Sequence, residues 1–299
     1  MVIYMNNIIV LGNLSYNINL FFNSYPIENH EFSIVKKYKS IGNNVNIPII
    51  LSKYNLNVYY FSNIGNDFEG NIIIDYLKNN NIDTNYINII KNVKTNQRYI
   101  IRNIKNDSKT ILSNKINAKY IIHKNITFRP DVIYADIYDI NILMYLKNSF
   151  NNIKIITHFN EISTNAINLG KNSDYVIITL NYAELLTNKK LNINNKKSII
   201  DIYINVKKII SSKIIMYIES LGVVYENNNS INIISKLGDK SRISDNGLDI
   251  FIATFIYSVN KCFTIDKCLK LATISKFLSD NNKQNLNIDE VIKIYEKNN

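Results

Sequence analysis

The strongest constraint on the fold is a repeated alternation between short apolar segments and segments of helical periodicity. The apolar segments have the length and composition of strands buried on both faces, and they lie at residues 7–12, 58–65, 131–135, 154–159, 175–180 and 213–218. Helical patterns lie between and after them, including 43–54 and 67–79, where Asp67 is the expected N-cap. This alternation predicts an α/β fold with a doubly wound, mostly parallel sheet and helices on both faces.

Two segments depart from the alternation. Residues 17–40 contain extended stretches, and residues 97–114 are typical of a β-hairpin whose turn lies near Asn106 and Asp107. We expect segments at approximately 14–40 and 95–116 to form a small β-sheet lid, inserted in a single domain that spans residues 1–299. A lid of this kind keeps water away from a reacting centre.

Composition excludes several classes of protein. The chain has 299 residues, of which 46% are hydrophobic and 20% charged, and these values exclude a mostly disordered chain, a collagen-like chain and a disulfide miniprotein. Its two cysteines, Cys262 and Cys268, lack a metal-type spacing. No apolar segment approaches the roughly 18 residues of a membrane span, and the N-terminus lacks the pattern of a signal peptide. We therefore expect a cytoplasmic protein without a membrane partner.

The formal net charge of +11 at pH 7 has two interpretations. A basic chain can bind nucleic acid. However, the lysines are scattered, and the chain is rich in Asn, Ile, Lys and Tyr but poor in Gly, as an AT-rich genome produces. We favour compositional drift and do not expect a nucleic-acid partner.

The few glycines are a guide to constrained backbone. Only eight occur, and we expect them where a side chain does not fit. Several end strands or open helices, where α/β folds bind ligands, although ordinary turns are the alternative. They are Gly12, Gly42, Gly65, Gly70, Gly170, Gly222, Gly238 and Gly247.

Six sequence blocks follow one another in a fixed order: IIVLG at 8–12, IGNNVN at 41–46, GNDFEG at 65–70, Thr95 with SKTI at 108–111, NYAE at 181–184, and ISDNGLDIF at 243–251. In this order they resemble the PfkB carbohydrate kinase family over nearly the whole chain. The resemblance implies a ribokinase-like fold in a divergent member. It also implies ATP-dependent phosphorylation of a hydroxymethyl group of a small sugar, with ATP and Mg²⁺ as cofactors. The family commonly forms a homodimer through the lid, which this sequence allows.

Asp249 precedes the apolar helical segment 250–259. A carboxylate at the start of a helix, beside free backbone amides, can act as a base next to an anion-binding site, although a simple N-cap is the alternative. The resemblance implies that Asp249 is the catalytic base for the acceptor hydroxyl. It also implies that Asn246, Gly247 and Leu248 form an anion hole for the transferring phosphoryl group.

Further roles are implied by the resemblance. It assigns substrate binding to Asn17, Gly42, Asn46 and, more weakly, Asp136, because side-chain amides and carboxylates satisfy sugar hydroxyls. It assigns nucleotide and Mg²⁺ binding to Asn181, Glu184 and Gly222, with Glu184 holding the metal through water. The alternatives are compositional bias for each Asn and an ordinary helix start for Asn181 and Glu184.

Two departures from the family pattern open a second hypothesis. When residues 243–251 are aligned with the family pattern without a gap, Leu248 occupies a glycine position, and a positive φ there would cost about 1–2 kcal/mol. When the alignment includes a short deletion, Asp245 takes the place of the family's upstream Asp and Gly247 that of its first Gly. The nucleotide-side pattern T-x-G-x-x-G falls on residues 217–222, where Glu219 replaces a glycine. The chain is therefore expected to be a sugar kinase or, alternatively, a catalytically impaired pseudokinase with a binding or regulatory role. A nucleoside acceptor is a variant of the first.

Overall fold

The computed structural model describes residues 6–114, 116, 119–122, 125–136, 139–159, 162–238, 246–281 and 286–297. The strands are β1 (Asn7–Leu11), β2 (Tyr16–Phe22), β3 (Lys36–Ile41), β4 (Asn57–Gly65), β5 (Ile82–Asp83), β6 (Ile87–Ile90), β7 (Gln97–Asn103), β8 (Lys109–Asn114), β9 (Val132–Ala135), β10 (Lys154–His158), β11 (Tyr175–Thr179), β12 (Lys213–Ile218), β13 (Gly222–Asn227) and β14 (Ser230–Ser235). The helices are α1 (Asn46–Lys53), α2 (Phe68–Asn79), α3 (Ile140–Ser149), α4 (Thr164–Lys171), α5 (Leu180–Thr187), α6 (Lys196–Ile209), α7 (Gly247–Asn260), α8 (Ile265–Asp280) and α9 (Ile288–Lys297). The strands and helices predicted from apolar periodicity are confirmed.

The chain divides into two compact units, and the first comprises residues 1–11, 46–58 and 126–299. Its strands follow the order β14-β13-β12-β11-β10-β9-β1, and the beginning of β4 lies beside β1. The strands β1, β9, β10, β11 and β12 pair in parallel, while β13 and β14 form an antiparallel extension. Because the five parallel strands run in one direction, their carboxyl ends share one edge of the sheet.

Helices cover both faces of this sheet, as the sequence predicts. On one face, Met216 and its neighbours on alternate strand positions join a buried cluster with Tyr203 and Val206 of α6. On the other face, Tyr217 of β12 packs against Phe251 of α7 with ring centroids 5.4 Å apart. Since side chains alternate along a strand, successive residues of β12 serve opposite helical layers. The predicted fold class, a doubly wound α/β sheet, is confirmed.

Helix α7 is buried along most of its length, from Phe251 to Asn260. A helix that is apolar all round is a core helix, and α8 packs along it. The start of α7 lies near the carboxyl end of β12, where Tyr217 contacts it, and its far end reaches the opposite edge, where Lys261 Nζ donates to Asn6 Oδ1 at 2.9 Å. This packing fixes Asp249 near the carboxyl edge of the sheet.

The second unit comprises residues 12–45 and 59–125. Its four-stranded sheet has the order β3-β2-β7-β8, with β2 parallel to β7 and the other pairs antiparallel. The hairpin predicted at 97–114 is confirmed, and Asp107 in its turn has a φ of 54°. Both segments predicted to form a lid contribute strands to this sheet, while their closure over a site stays a prediction.

Many turns depend on asparagine in the left-handed backbone region. Positive φ occurs at Asn29, Asn55, Asn81, Asn92, Asn152, Asn188, Asn228 and Asn229. Asn tolerates this conformation because its short polar side chain can form local hydrogen bonds. In the described part of the chain, Asn therefore carries much of the turn geometry that glycine supplies elsewhere. No helix among the described residues has the length and apolar character needed to cross a membrane.

Candidate active site

Asp249 lies in the first turn of α7 and is tied to a residue far away in sequence. Asn46, the first residue of α1, donates from Nδ2 to Asp249 Oδ2 at 2.8 Å and to Asn246 Oδ1 at 3.2 Å. Sequence separation between Asn46 and Asp249 is 203 residues. The fold thus brings together the implied base, one implied acceptor-binding residue and one residue of the implied anion hole.

The environment of Asp249 tunes its acidity. Burial in the first unit raises the pKa of the carboxyl from 3.8 to about 6, against the opposing effect of the hydrogen bond from Asn46. Desolvation disfavours the charged carboxylate. A group with a pKa of about 6 is ionised at neutral pH yet basic enough to accept a proton, which suits a general base.

The first backbone amides of α7 have no partner within the helix. The first intrahelical bond runs from Ile250 N to Asn246 O at 3.0 Å, so the amides of Gly247, Leu248 and Asp249 precede it. Helix N-termini attract anions through such amides and through the helix dipole. Leu248 is helical, so the strain expected from a positive φ at this position is absent. The alternative that placed Asp245 upstream concerns residues outside the described part of the chain.

Two implied acceptor-binding residues meet in the second unit. Asn17 is buried in β2 with 3% of its surface exposed, and its Oδ1 accepts from Ser15 Oγ at 3.3 Å. A Cβ added to Gly42 would lie 2.2 Å from Ser15 Oγ and 3.3 Å from the backbone oxygen of Ser15, so a side chain there would require Ser15 to move. Ser15 was missed by the sequence reasoning because no motif marks it. Asp136 follows β9 in the first unit, and its amide bonds Leu11 O at 2.8 Å.

The block at 65–70 has a clear structural role in the second unit. Asp67 caps α2 by accepting from Gly70 N at 2.9 Å, and its other oxygen accepts from Thr95 N at 2.9 Å. The Thr95 hydroxyl also donates to Asp67 Oδ1 at 2.5 Å. These bonds lower the pKa of Asp67 despite the opposing effect of its burial. Asp67 therefore joins the start of α2 to Thr95.

Asn181 and Glu184 lie on α5, just beyond the carboxyl end of β11. Asn181 is exposed, whereas both oxygens of Glu184 are engaged: Oε1 accepts from Leu191 N and Oε2 from Lys190 Nζ, each at 2.8 Å. These bonds lower the pKa of Glu184. Mg²⁺ needs oxygen ligands that are free to coordinate it, and no group of three or more acidic, His or Cys side chains is arranged for a metal among the described residues. Mg²⁺ is usually held by one or two carboxylates together with substrate phosphates and water, so the implied role of Glu184 in holding the metal through water stays a prediction.

The segment 217–222 departs most from the family pattern. Glu219 accepts from Tyr217 Oη at 2.9 Å and from Lys276 Nζ of α8 at 2.9 Å. Lys276 also bonds Asp280 one turn further along α8. Burial and the neighbouring Glu219 raise the pKa of Tyr217 far above its usual range, so its hydroxyl stays a donor. Lys276 was not identified from the sequence, since buried charges have no compositional signature.

Gly222 opens β13 with a φ of 122°. A Cβ there would lie 2.1 Å from Ile234 O on the neighbouring strand β14. Few side chains tolerate this backbone region. The glycine is therefore required by the sheet extension, whether or not a nucleotide binds near it.

Comparisons with known proteins agree with this architecture. The sequence model of the family described as "pfkB family carbohydrate kinase" matches residues 5–152. No curated protein matches the sequence significantly. Three solved structures illustrate the likeness in fold. Arabidopsis thaliana ribokinase complexed with ribose and ATP matches with a TM-score of 0.76 and 15% sequence identity, over 96% of this chain and 98% of that chain. Cryptococcus neoformans ribokinase in complex with ADP matches with a TM-score of 0.76 and 12% identity, over 97% of this chain and 99% of that chain. Methanocaldococcus jannaschii nucleoside kinase matches with a TM-score of 0.73 and 16% identity, over 98% of this chain and 99% of that chain.

The fold is that of the ribokinase-like α/β proteins, as the sequence blocks implied. The chain belongs to the pfkB family of carbohydrate kinases. The family is described as one of carbohydrate kinases.

Proposed function

We propose that this protein transfers the terminal phosphoryl group of ATP to a hydroxymethyl group of a small sugar, with Asp249 as the general base. The observation that carries the proposal is the bond from Asn46 to Asp249 at the start of α7. It joins a hydrogen-bonding amide, a carboxylate of raised pKa and helix amides without intrahelical partners in one unit. Together these groups serve an acceptor hydroxyl and an anion.

The chemistry follows from these groups. Asp249 accepts the proton of the acceptor hydroxyl, whose oxygen bonds to the terminal phosphorus while the bond from that phosphorus to the leaving ADP oxygen breaks. The amides of Gly247 and Leu248 and the dipole of α7 stabilise the charge on the transferring group. Asn46 positions the carboxylate and keeps one of its oxygens hydrogen-bonded. No step is assigned to a metal ion.

The acceptor is proposed to be a sugar bound in the first unit by Asn46 and Asp136, while the sugar-binding roles implied for Asn17 and Gly42 of the second unit stay predictions. Support comes from the family and from the Arabidopsis protein, whose structure contains ribose and ATP. The archaeal relative in fold is a nucleoside kinase, so a nucleoside is the variant to test beside sugars. A homodimer through the second unit remains a proposal, supported by the exposure of β8.

The test is ADP release from purified protein with Mg-ATP and a panel of pentoses, hexoses and nucleosides. We expect turnover with one acceptor class and a loss of at least about 100-fold in Asp249→Asn, because a positioned base contributes roughly 10²–10⁴-fold. Asp75→Asn, an exposed carboxylate on α2, is the matched control and should keep full activity. Equal turnover of Asp249→Asn and wild type would reject the mechanism.

The second candidate is a pseudokinase that binds a sugar or a partner without catalysis. Glu219, paired with Lys276 where the family pattern has a glycine, is the observation that favours it. Calorimetric titration with Mg-ATP separates the candidates, since a dead donor site does not bind the nucleotide. Absence of both binding and turnover, with a sugar still bound, would favour the pseudokinase.

A further inference from the structure

A cluster of three buried hydroxyl groups joins α1, α7 and α8 in the first unit. Tyr54 directly follows α1, and its Oη lies 3.2 Å from Oγ1 of Thr254 on α7. Ser275 on α8 donates from Oγ to the same Thr254 oxygen at 2.8 Å. Tyr54 is 3% exposed, and the other two residues are fully buried. With so little access to solvent, the three hydroxyl groups bond one another instead of bulk water.

The surroundings of this hydroxyl cluster are apolar. Around Thr254, α7 buries Ile252, Ala253, Phe255 and Ile256. Apolar contacts are not directional, so they allow neighbouring helices to pack in more than one register. A buried hydroxyl without a partner is costly, and the three groups meet in one register only. Buried polar groups select a single packing register in coiled coils in the same way. The hydroxyl cluster therefore fixes α1 lengthwise on α7.

Helices α1 and α7 are joined at two places. Near their starts, Asn46 donates to Asp249 at 2.8 Å. Near the end of α1, Tyr54 meets Thr254, and its ring packs against Tyr257 with centroids 5.6 Å apart. The two helices therefore run side by side in the same direction. A displacement of α1 along α7 would change the length and the angle of the bond between Asn46 and Asp249, on which its strength depends.

We propose that the hydroxyl cluster of Tyr54, Thr254 and Ser275 positions Asn46 against Asp249 by fixing α1 on α7. This inference rests on the proposed function, because it takes Asp249 as the general base. The three residues act through Asn46 and are positioning residues. Such positioning matters because a misplacement of about 1 Å can cost an enzyme about 100-fold in rate.

The first experiment is a double-mutant cycle on kcat/KM, with Mg-ATP and the best acceptor of the sugar and nucleoside panel. It compares wild type, Tyr54→Phe, Asn46→Ala and the variant with both changes. Phenylalanine removes the hydroxyl and keeps the ring against Tyr257. We expect Tyr54→Phe to lower kcat/KM by about three- to tenfold in wild type but to add no loss to Asn46→Ala, because coupled residues are not additive. An equal loss in both backgrounds overturns the inference.

The second experiment needs no turnover. It measures the pKa of Asp249 by carbon NMR on protein labelled at the aspartate carboxyl groups, with Asp249→Asn assigning the signal. Tyr54→Phe should raise this pKa by about half a unit above the wild-type value of about 6, because a looser bond from Asn46 lowers it less. Thr254→Val, which also removes a hydroxyl of the cluster, should have the same effect. Thr254→Ser keeps the hydroxyl and should retain the wild-type pKa.

Tyr203→Phe is the matched control. Tyr203 is also buried, and its hydroxyl donates to Ile214 O at 3.0 Å, but it lies on α6 at the other face of the sheet. This control should lose stability without a change in the pKa of Asp249. The inference is overturned if Tyr54→Phe leaves that pKa unchanged or if Tyr203→Phe raises it equally.

Failure of the proposed function gives a different result. Asp249→Asn would then turn over as fast as wild type, whatever the hydroxyl cluster does. A raised pKa of Asp249 in Tyr54→Phe, together with full activity of Asp249→Asn, would support the coupling between the cluster and Asp249 and reject Asp249 as the base.

Discussion

Replacing Asp249 by Asn should make the protein more stable while it removes the base. The pKa of Asp249 rises from 3.8 to about 6 on folding, a difference of about 2 units, and each unit corresponds to about 1.36 kcal/mol. Ionised Asp249 therefore costs up to about 3 kcal/mol of folding free energy. The amide introduced by Asp249→Asn keeps the shape of the side chain and an oxygen for Asn46 but has no charge to bury.

The sign of the effect depends on pH. The unfolded state loses the Asp249 proton near pH 3.8, while the folded state keeps it until about pH 6. The folded state thus binds the proton more tightly, and wild type loses this part of its stability as the pH rises from about 4 to 6. Asp249→Asn should exceed wild type by up to about 3 kcal/mol at pH 8 and by almost nothing at pH 4.

Urea unfolding of both proteins at pH 4, 6 and 8 measures this difference. Asp75→Asn, which removes an exposed carboxylate, should follow wild type at every pH. The reasoning is refuted if Asp249→Asn is no more stable than wild type at pH 8. It is refuted equally if the advantage has the same size at pH 4, since a charge effect must disappear once the carboxyl is protonated.

Three further predictions concern the same elements. Asn46→Ala should lower kcat/KM by about tenfold or more. It should also move the acidic limb of the pH profile of kcat/KM, expected near pH 6 in wild type, to higher pH, because the hydrogen bond from Asn46 lowers the pKa of Asp249; an unmoved limb would contradict this. Gly222→Ala should cost at least about 2 kcal/mol in urea unfolding, since its Cβ meets Ile234 O at 2.1 Å with φ at 122°; a smaller loss would contradict this steric reasoning. Asn55→Gly should raise the free energy of unfolding by up to about 1 kcal/mol, because glycine adopts φ of 58° without strain; a loss would show that the Asn55 side chain contributes more than its backbone costs.

Sequence periodicity was sufficient for the central strands. Those at 154–158, 175–179 and 213–218 lie within about one residue of the predicted segments, because strands buried on both faces must be continuously apolar. The N-cap role of Asp67 was equally readable, since capping depends on local spacing. Local rules therefore explain why most elements could be predicted.

The extension β13–β14 was not predicted. Its turn uses Asn228 and Asn229, both with positive φ, instead of the Asn-Gly pair that marks such hairpins. Its outer strand is half-exposed, so the apolar pattern is weak. The shortage of glycine removed the signal that sequence reasoning depends on.

The candidate site could be predicted only through the family resemblance. Asn46 and Asp249 are 203 residues apart, and nothing local to either residue indicates their bond. The pairing of Lys276 with Glu219 was not foreseen, because tertiary packing alone determines which charges become buried. The chemical role of a single residue in this chain is therefore determined by tertiary contacts that its local sequence does not indicate.

The asparagines in left-handed turns bear on how this fold tolerates a composition that is poor in glycine. At these positions Asn adopts the left-handed backbone conformation that glycine adopts without strain, and the reversal of the chain is kept. The shortage of glycine is thereby compensated in the turns that connect helices and strands. Gly222, where a methyl group would lie 2.1 Å from the backbone oxygen of Ile234 and φ is 122°, is a position at which asparagine could not take the place of glycine.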